Sequence, residues 1–189
     1  MRLFAAVETS GETRDAMAAE QKRIAASLGP SGASLKWARP DGAHLTLVFL
    51  GEVDAARAPR LVKAMAHDVD VPPFEIAFSG AGVFPPRGAP RVLWVGVSDG
   101  VNELAGLRRE IAARIAAHGV VLEARDFRPH LTLGRWTSSR PSDRARALAA
   151  ARPATLARQV VTRVTLYESR LSSSGAAHTA LTHANLAGS

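Results

Sequence analysis

The sequence predicts an α+β fold with two lobes, each built on a mixed or antiparallel sheet, around a central cleft with helices outside. Strand-like segments alternate with segments of helical periodicity through both halves of the 189-residue chain. The tetrapeptide His-Leu-Thr-Leu also occurs twice, at 44–47 and 130–133, each time after a predicted helix and strand. We therefore expect residues 1–189 to form one bilobal domain with approximate two-fold symmetry.

The first half is predicted to contain two helices between strands. Residues 9–12 (Thr-Ser-Gly-Glu) have the spacing of a capping box, and the helix that follows ends at Gly29-Pro30. Asp54 is expected to cap a second helix that runs to about residue 67. Strands are expected at 3–7, 35–37, 44–53 and 74–78.

The second half repeats this alternation. Residues 80–90 are rich in Gly and Pro and are expected to form a loop. The clearest helix spans about 102–118, with Gly119 in the position of a C-terminal cap, and Ser142 is expected to cap a short Arg- and Ala-rich helix. Strands are expected at 91–97, 120–123, 130–136, 160–171 and 176–186, the last two forming a hairpin.

Composition excludes several classes of protein. Apolar residues make up 47% and charged residues 22% of the chain, unlike a disordered protein or a coiled coil. The chain contains no cysteine, so it has no disulfide, thiol nucleophile or Cys-ligated zinc site. Its apolar stretches are too short for a signal peptide or a membrane span. We expect a cytoplasmic monomer with no membrane anchor and no obligate protein partner.

The repeated tetrapeptide predicts a pair of active-site histidines. Side chains alternate along a strand, so His44 and Thr46 share one face while the two leucines share the other. The same holds for His130 and Thr132. Each motif follows a proline-containing break, at 39–42 and at 127–129, which places each histidine at the start of a strand. If both strands line the cleft, two imidazoles and two hydroxyls converge there.

This arrangement suits the hydrolysis of a phosphodiester. A neutral imidazole can deprotonate the attacking oxygen while a protonated one supplies a proton to the leaving oxygen. The ordinary histidine pKa of ~6.5 allows both states near neutral pH. The threonine hydroxyls can donate hydrogen bonds to non-bridging phosphate oxygens. The chemistry requires no metal and no cofactor, and the residues alone leave open which histidine is the acid.

The two motifs resemble those of the two-histidine (2H) phosphoesterases. The segments 44–51 (His-Leu-Thr-Leu-Val-Phe-Leu-Gly) and 128–135 (Arg-Pro-His-Leu-Thr-Leu-Gly-Arg) are most similar to the bacterial RNA 2',3'-cyclic phosphodiesterases, historically called 2'-5' RNA ligases. The resemblance extends to residues 2–6, 91–97 and 166–169. It implies the bilobal 2H phosphoesterase fold and an enzyme that opens a 2',3'-cyclic phosphate at an RNA end to leave a 2'-phosphate.

The resemblance also implies a role for each motif residue. His44 would be the proton donor, His130 the proton acceptor that activates water, and Thr46 and Thr132 the phosphate-binding residues. The chain departs from the family at His178, where many members carry tyrosine. This departure leaves the substrate preference open.

Four further residues are candidates for contact with substrate. Arg135 reaches the cleft only if a bulge interrupts the strand after Leu133. Trp37 either walls the cleft and stacks on a base or packs in the core. Arg128 and His178 either meet the RNA or lie on the surface. Phe49 has odd parity relative to His44, which predicts a position in the core.

Positive charge is concentrated in one segment. The chain carries a net charge of +7, and residues 125–170 hold ten arginines against three acidic residues. The planar guanidinium matches phosphate oxygens, so this segment suggests a polyanionic partner such as RNA. The alternative is an ordinary solvated, arginine-rich surface.

Three other functions remain as alternatives. The same motifs serve RNA ligation and the cleavage of other cyclic nucleotides or 2'-5' linkages. A non-catalytic RNA-binding module would use the arginine-rich segment and not the histidines. A zinc hydrolase is the least favoured, because the histidines lack His-x-x-x-His spacing with a neighbouring carboxylate.

Overall fold

The computed structural model describes residues 1–32, 34–123, 126–152, 154–172 and 175–188. In these ranges the helices are α1 (Gly11–Leu28), α2 (Ala58–Ala64), α3 (Val101–Ala116) and α4 (Pro141–Ala150). The strands are β1 (Arg2–Glu8), β2 (Leu35–Trp37), β3 (His44–Glu52), β4 (Phe74–Phe84), β5 (Val92–Asp99), β6 (His130–Trp136), β7 (Ala157–Val161), β8 (Arg163–Ser172) and β9 (Gly175–Asn185).

The strands form two antiparallel sheets. The first sheet has the order β3-β1-β8-β9 and the second has the order β2-β6-β5-β4-β7. The series β3-β1-β8-β9 corresponds strand for strand to β6-β5-β4-β7, and the two motif strands β3 and β6 contact each other. The predicted α+β class with two sheets is confirmed, and the sheets meet along the strands that carry the repeated tetrapeptide.

Each long helix packs behind the sheet of the other half. Helix α1 contacts α4 and β7, and Gln21 donates a hydrogen bond of 2.8 Å to the carbonyl of Leu133 in β6. Helix α3 packs against β3 in the first sheet. The leucines of both motifs, Leu45, Leu47, Leu131 and Leu133, belong to one continuous hydrophobic core. The motif strands are therefore held from behind by packing shared between the two halves.

Two of the predicted helix starts are shifted. The N-cap of α1 is Ser10, whose hydroxyl accepts from the backbone N–H of Thr13 at 3.1 Å, while Thr9 donates to the carbonyl of Ala43 instead. Asp54 accepts from the backbone N–H of Arg57 at 2.7 Å and so stabilises the turn before α2. Helix α2 ends earlier than predicted, at Ala64.

Four other sequence predictions are wrong. Residues 120–123 form no strand, and α4 has Arg140 as its N-cap residue because Pro141 already occupies the first helical position. The predicted strand 160–171 is divided at Thr162 into β7 and β8, which belong to different sheets. The predicted loop 80–90 begins only after Phe84, because β4 continues through its glycines.

The glycines of β4 are needed for structural reasons other than a turn. Gly80 has a φ of 72°, at the irregularity where β4 pairs with β5. A Cβ on Gly82 would lie 2.2 Å from the ring of Trp94, so only glycine leaves room for this indole. Glycine here permits a bulge and a close ring contact within a strand.

No helix in the described ranges is long and apolar enough to cross a membrane.

Candidate active site

Strand register places both His-Thr pairs on the cleft side of their sheets. His44 and Thr46 lie opposite Glu8 and Ala6 of β1. His130 and Thr132 lie opposite Gly96 and Trp94 of β5. The four side chains are partly exposed, whereas the leucines between them are buried. The alternation expected from the sequence is present in both strands.

The two imidazoles are anchored in the same way. Nδ1 of His44 lies 2.8 Å from the carbonyl oxygen of Gly42, and Nδ1 of His130 lies 2.7 Å from that of Arg128. A carbonyl only accepts, so each Nδ1 carries the proton and each Nε2 is left for chemistry. In both cases the anchor is the residue two positions upstream, held by the proline-containing break. The breaks therefore orient the rings as well as starting the strands.

The cleft lowers the pKa of both histidines. For His44, burial is the largest cause of the lowered pKa, and the hydrogen bond to Gly42 opposes this effect. The nearby positive charges of His178, Arg135 and His130 lower the pKa further. For His130, burial is again the largest cause of the lowered pKa. The hydrogen bond to the carbonyl of Arg128 raises this pKa, and the positive charge of Arg135 lowers it further. Without a bound anion both rings therefore favour the neutral form. A phosphate between them would favour the protonated form of one ring.

A β-bulge lies at the last residue of each motif. Pairing with β1 skips Leu47, and pairing with β5 skips Leu133. Each bulge reverses the alternation of side chains, so the fifth residue after each histidine returns to the cleft face. In the first half this residue is Phe49, opposite Phe4, and in the second it is Arg135, opposite Val92.

The bulges decide two of the sequence predictions. Arg135 is exposed on the cleft face and lowers the pKa of both motif histidines, so the bulge that its role requires is present. The core position predicted for Phe49 is wrong, because its side chain is 62% exposed. A regular period of two cannot reveal a bulge. The one feature of the sequence that accompanies each bulge is a large side chain five residues after the histidine, Phe49 in one half and Arg135 in the other.

An aromatic wall surrounds His44. The ring of Phe4 lies 4.9 Å from His44, 5.2 Å from Tyr167 and 5.0 Å from His178, measured between centroids. The ring of His178 is 5.2 Å from that of His44, at 88° to it. His178 thus lies in the wall of the cleft, in direct contact with a motif histidine. Phe4 and Tyr167 were not predicted as site residues, since their contacts with His44 join separate strands.

The wall beside His130 is aromatic but carries no titratable ring. Phe84 lies 5.1 Å and Trp94 lies 5.9 Å from the His130 ring, between centroids. Strand register makes Phe84 the counterpart of Tyr167, since each lies two strands from a motif strand at the same level. The two halves therefore share a shape but differ in their ionisable groups.

A carboxylate fixes the wall on the His44 side. Glu8 accepts hydrogen bonds from Arg163 at 2.5 Å and from the hydroxyls of Thr165 and Tyr167 at 2.9 Å. Burial alone would raise the pKa of Glu8, but these hydrogen bonds outweigh it and lower the pKa. Burial and the bond to Glu8 raise the pKa of Tyr167. Glu8 is therefore an ionised acceptor that holds the Tyr167 hydroxyl in place.

The comparisons with known proteins agree with this geometry. The family profile of the 2'-5' RNA ligase superfamily matches residues 11–172. The chain belongs to this superfamily. It is 34% identical over 155 residues to the RNA 2',3'-cyclic phosphodiesterase of Aquifex aeolicus, covering 81% of this chain and 82% of that one. It is 36% identical over 141 residues to the enzyme of the same name from Archaeoglobus fulgidus, covering 75% and 76%.

Solved structures of two other proteins have the same fold. The crystal structure of TT0787 from Thermus thermophilus matches with a TM-score of 0.80 and 26% identity, covering 100% of this chain and 99% of that one. Escherichia coli LigT complexed with 3'-AMP matches with a TM-score of 0.73 and 26% identity, covering 98% and 97%. The predicted family and its fold are confirmed.

The structure also shows the surroundings of the candidates Trp37 and Arg128. Trp37 pairs with Gly134 on the buried side of β2 and packs against the core, so it does not wall the cleft. Its neighbour Lys36 lies opposite Arg135 instead, on the cleft face. The carbonyl of Arg128 anchors His130, while its side chain is exposed. In the described ranges no three His, Asp or Glu side chains cluster as metal ligands do.

Proposed function

We propose that this protein hydrolyses the terminal 2',3'-cyclic phosphate of RNA to a 2'-phosphomonoester, with His44 and His130 as its acid–base pair. One observation carries the proposal: two imidazoles with the same Nδ1 anchor stand at equivalent positions of two sheets that meet along the motif strands. The names of the Aquifex and Archaeoglobus relatives support this substrate. We expect the protein to act as a cytoplasmic monomer.

The reaction uses one proton at each ring. Nε2 of neutral His130 takes a proton from water as the water oxygen forms a bond to phosphorus. The bond between phosphorus and O3' breaks, and Nε2–H of protonated His44 donates its proton to O3'. The product is a 2'-phosphate and a free 3'-hydroxyl. Proton exchange with solvent then returns His44 to the protonated form and His130 to the neutral form.

The remaining groups of the cleft stabilise the phosphate. Thr46 and Thr132 donate hydrogen bonds to non-bridging oxygens, where negative charge grows in the transition state. The Arg135 guanidinium lies close enough to affect the pKa of both histidines, so it also faces the charge that develops between them. The anionic substrate offsets the effect of burial and lets one imidazole hold its proton near neutral pH.

The nucleoside is placed against the first sheet. Phe49 offers an exposed ring on the cleft face, on which a base can stack. His178 lies beside His44, where it can meet the ribose or the base. The LigT structure contains 3'-AMP, so a ribonucleotide binds to a protein of this fold.

Product analysis tests the proposed function. An RNA that ends in a 2',3'-cyclic phosphate is incubated with the protein in EDTA, and its end is then identified as a 2'- or 3'-phosphate. We expect complete conversion to the 2'-phosphate. Unchanged RNA in the presence of folded protein, or a product with only a 3'-phosphate, contradicts the proposal. Adding an RNA with a 5'-hydroxyl to the same reaction detects ligation.

A further inference from the structure

The arginine-rich segment is divided into neutralised and unpaired cations. Three of its arginines form ion pairs with carboxylates at 3.0 Å or less and therefore offer little net charge to a polyanion. These pairs are Arg158 with Glu75 and Asp99, Arg163 with Glu8, and Arg170 with Glu168. Arg146 and Arg152 lie farther from their carboxylates, at 4.0 Å from Asp143 and Glu20. Among the residues that the structure describes, no carboxylate side chain is at ion-pair distance from Arg135 or Arg140.

The unpaired cations meet at one edge of the second sheet. Lys36 and Arg135 are directly opposite each other on β2 and β6, on the face that carries His130. Just beyond this pair, Thr137 ties the two strands together, since its N–H and its hydroxyl donate to the carbonyl of Ser34 at 2.9 Å and 3.1 Å. The positive edge is therefore continuous with the catalytic cleft.

A polar crevice lies beyond this edge. It has a volume of about 310 Å³ and is lined by Ser34, Ser138, Ser139, Arg140, Asp143 and Arg146. We call it the serine–arginine crevice. Asp143 accepts a hydrogen bond of 2.7 Å from the backbone N–H of Arg140 and lies 4.0 Å from Arg146. The crevice therefore contains one carboxylate and two arginines and keeps a net positive charge. The hydroxyls of Ser34 and Ser138 also line it, while the Ser139 hydroxyl already donates to the carbonyl of Pro90.

We propose that the RNA strand upstream of the cyclic phosphate leaves the cleft over Arg135 and Lys36 and places a backbone phosphate in the serine–arginine crevice. This inference rests on the proposed function. At a strand rise of ~3.3 Å per residue, Ser138 lies on the order of 10 Å beyond Arg135, a distance that one or two nucleotides span. Guanidinium and hydroxyl donors in this pattern suit phosphate oxygens and carry no base specificity.

The rim of the first sheet is less suited to this strand. Two of the three arginines on its strands, Arg163 and Arg170, are held by Glu8 and Glu168. The third, Arg2, is exposed and lies opposite Glu52 of β3. Phe49, the counterpart of Arg135 on that side, is apolar and exposed. Because the two rims differ in this way, we place the RNA backbone along the second sheet and the terminal nucleoside against the first sheet.

A triple variant tests the path. Lys36→Ala, Arg140→Ala and Arg146→Ala are combined, and the matched control combines Lys22→Ala, Arg60→Ala and Lys63→Ala. The control positions are exposed on the outer helices α1 and α2 and remove the same charge. Binding of a fluorescent RNA decamer that ends in a 2'-phosphate is measured by anisotropy at several salt concentrations. Turnover of 2',3'-cyclic AMP is measured in parallel.

We expect the triple variant to bind the decamer about 10-fold more weakly at low salt, with the control within 2-fold of the unmodified protein. The slope of log Kd against log salt should fall by about 0.7 for each lost phosphate contact. Equal losses in both triple variants, or no loss in either, overturn the path. An unmodified protein that turns over neither cyclic AMP nor a cyclic-ended decamer, yet binds the decamer through the crevice, contradicts the proposed function alone.

Discussion

Phe49 and Arg135 occupy equivalent positions in the two halves of the molecule. Each is the fifth residue after a motif histidine, each follows a β-bulge at a buried leucine, and each faces the cleft. The backbone is therefore nearly symmetric at these two positions, whereas the two side chains differ in their chemistry. With an aromatic ring on one side and a guanidinium on the other, we expect the proposed substrate to bind in one orientation, with its base toward the first sheet and its phosphate toward the second.

Replacing Phe49 separates base stacking from stability. We expect Phe49→Ala to raise KM for 2',3'-cyclic AMP about 5- to 150-fold, since stacking on an aromatic ring contributes about 1–3 kcal/mol per base. Because this ring is largely exposed, Tm should stay nearly constant, unlike the loss caused by truncating a buried phenylalanine. Phe49→Trp should retain a low KM, and Trp37→Phe serves as the control. An unchanged KM in Phe49→Ala refutes the stacking role.

Removing the charge of Arg135 should affect both binding and pH dependence. We expect Arg135→Gln to lower kcat/KM about 10- to 100-fold, in line with the loss of a charge-assisted hydrogen bond of about 1.5–3 kcal/mol. Arg135 lowers the pKa of both histidines, so its removal raises both. The base must be neutral, and the acidic limb of the kcat/KM profile should therefore move to higher pH. If kcat/KM falls but the acidic limb of the pH profile does not move, Arg135 contributes to substrate binding only.

The sequence predicts the histidine pair because its pattern is local. In a regular strand the period of two puts His44 with Thr46 and buries the leucines, and the repeat at 130–133 identifies the second half of the site. The prediction fails where regularity ends. Parity counted from His44 places Phe49 in the core, but the bulge at Leu47 reverses it, and this bulge is evident only from the pairing of β3 with β1.

Other features depend on contacts between distant segments. The glycines at 80 and 82 indicate a turn by composition, yet Gly82 makes room for Trp94, which lies opposite it on the neighbouring strand β5. The division of the predicted strand at Thr162 transfers the chain from the second sheet to the first, and no local pattern marks a change of partner strand. The ring contacts of His178 with β1 and β3 likewise form only when the sheet is assembled.

Alanine at either motif histidine should abolish most of the activity. We expect His44→Ala and His130→Ala each to lower kcat for 2',3'-cyclic AMP roughly 10²- to 10⁴-fold, the usual contribution of a general acid or base. Both rings are partly exposed, so circular dichroism and Tm should show little change. His67→Ala, on the exposed turn after α2, is the matched control. Near-normal turnover in either variant assigns the chemistry to other residues.

His178 should influence one histidine of the pair and not the other. Its ring contacts that of His44, and its positive charge lowers the pKa of His44 after burial, the main cause. His178→Phe keeps the wall and removes the charge, so the pKa of His44 should rise while that of His130 stays constant. Titration of the ring protons by NMR measures both values in one sample. Equal pKa changes in His44 and His130 would instead indicate that the substitution alters the structure of the whole cleft.

The Glu8 network should make stability depend on pH below neutrality. Hydrogen bonds from Arg163, Thr165 and Tyr167 outweigh burial and hold the pKa of Glu8 below its ordinary value of 4.5. Its contribution to the free energy of unfolding is therefore present above that pH and is lost as the pH falls through the folded-state pKa. We expect Tm of Glu8→Gln to be lower at pH 7 and to fall less steeply between pH 5 and pH 3 than that of the unmodified protein. Glu103→Gln, exposed on α3, is the control. Parallel curves for Glu8→Gln and the unmodified protein show that this carboxylate does not stabilise the wall.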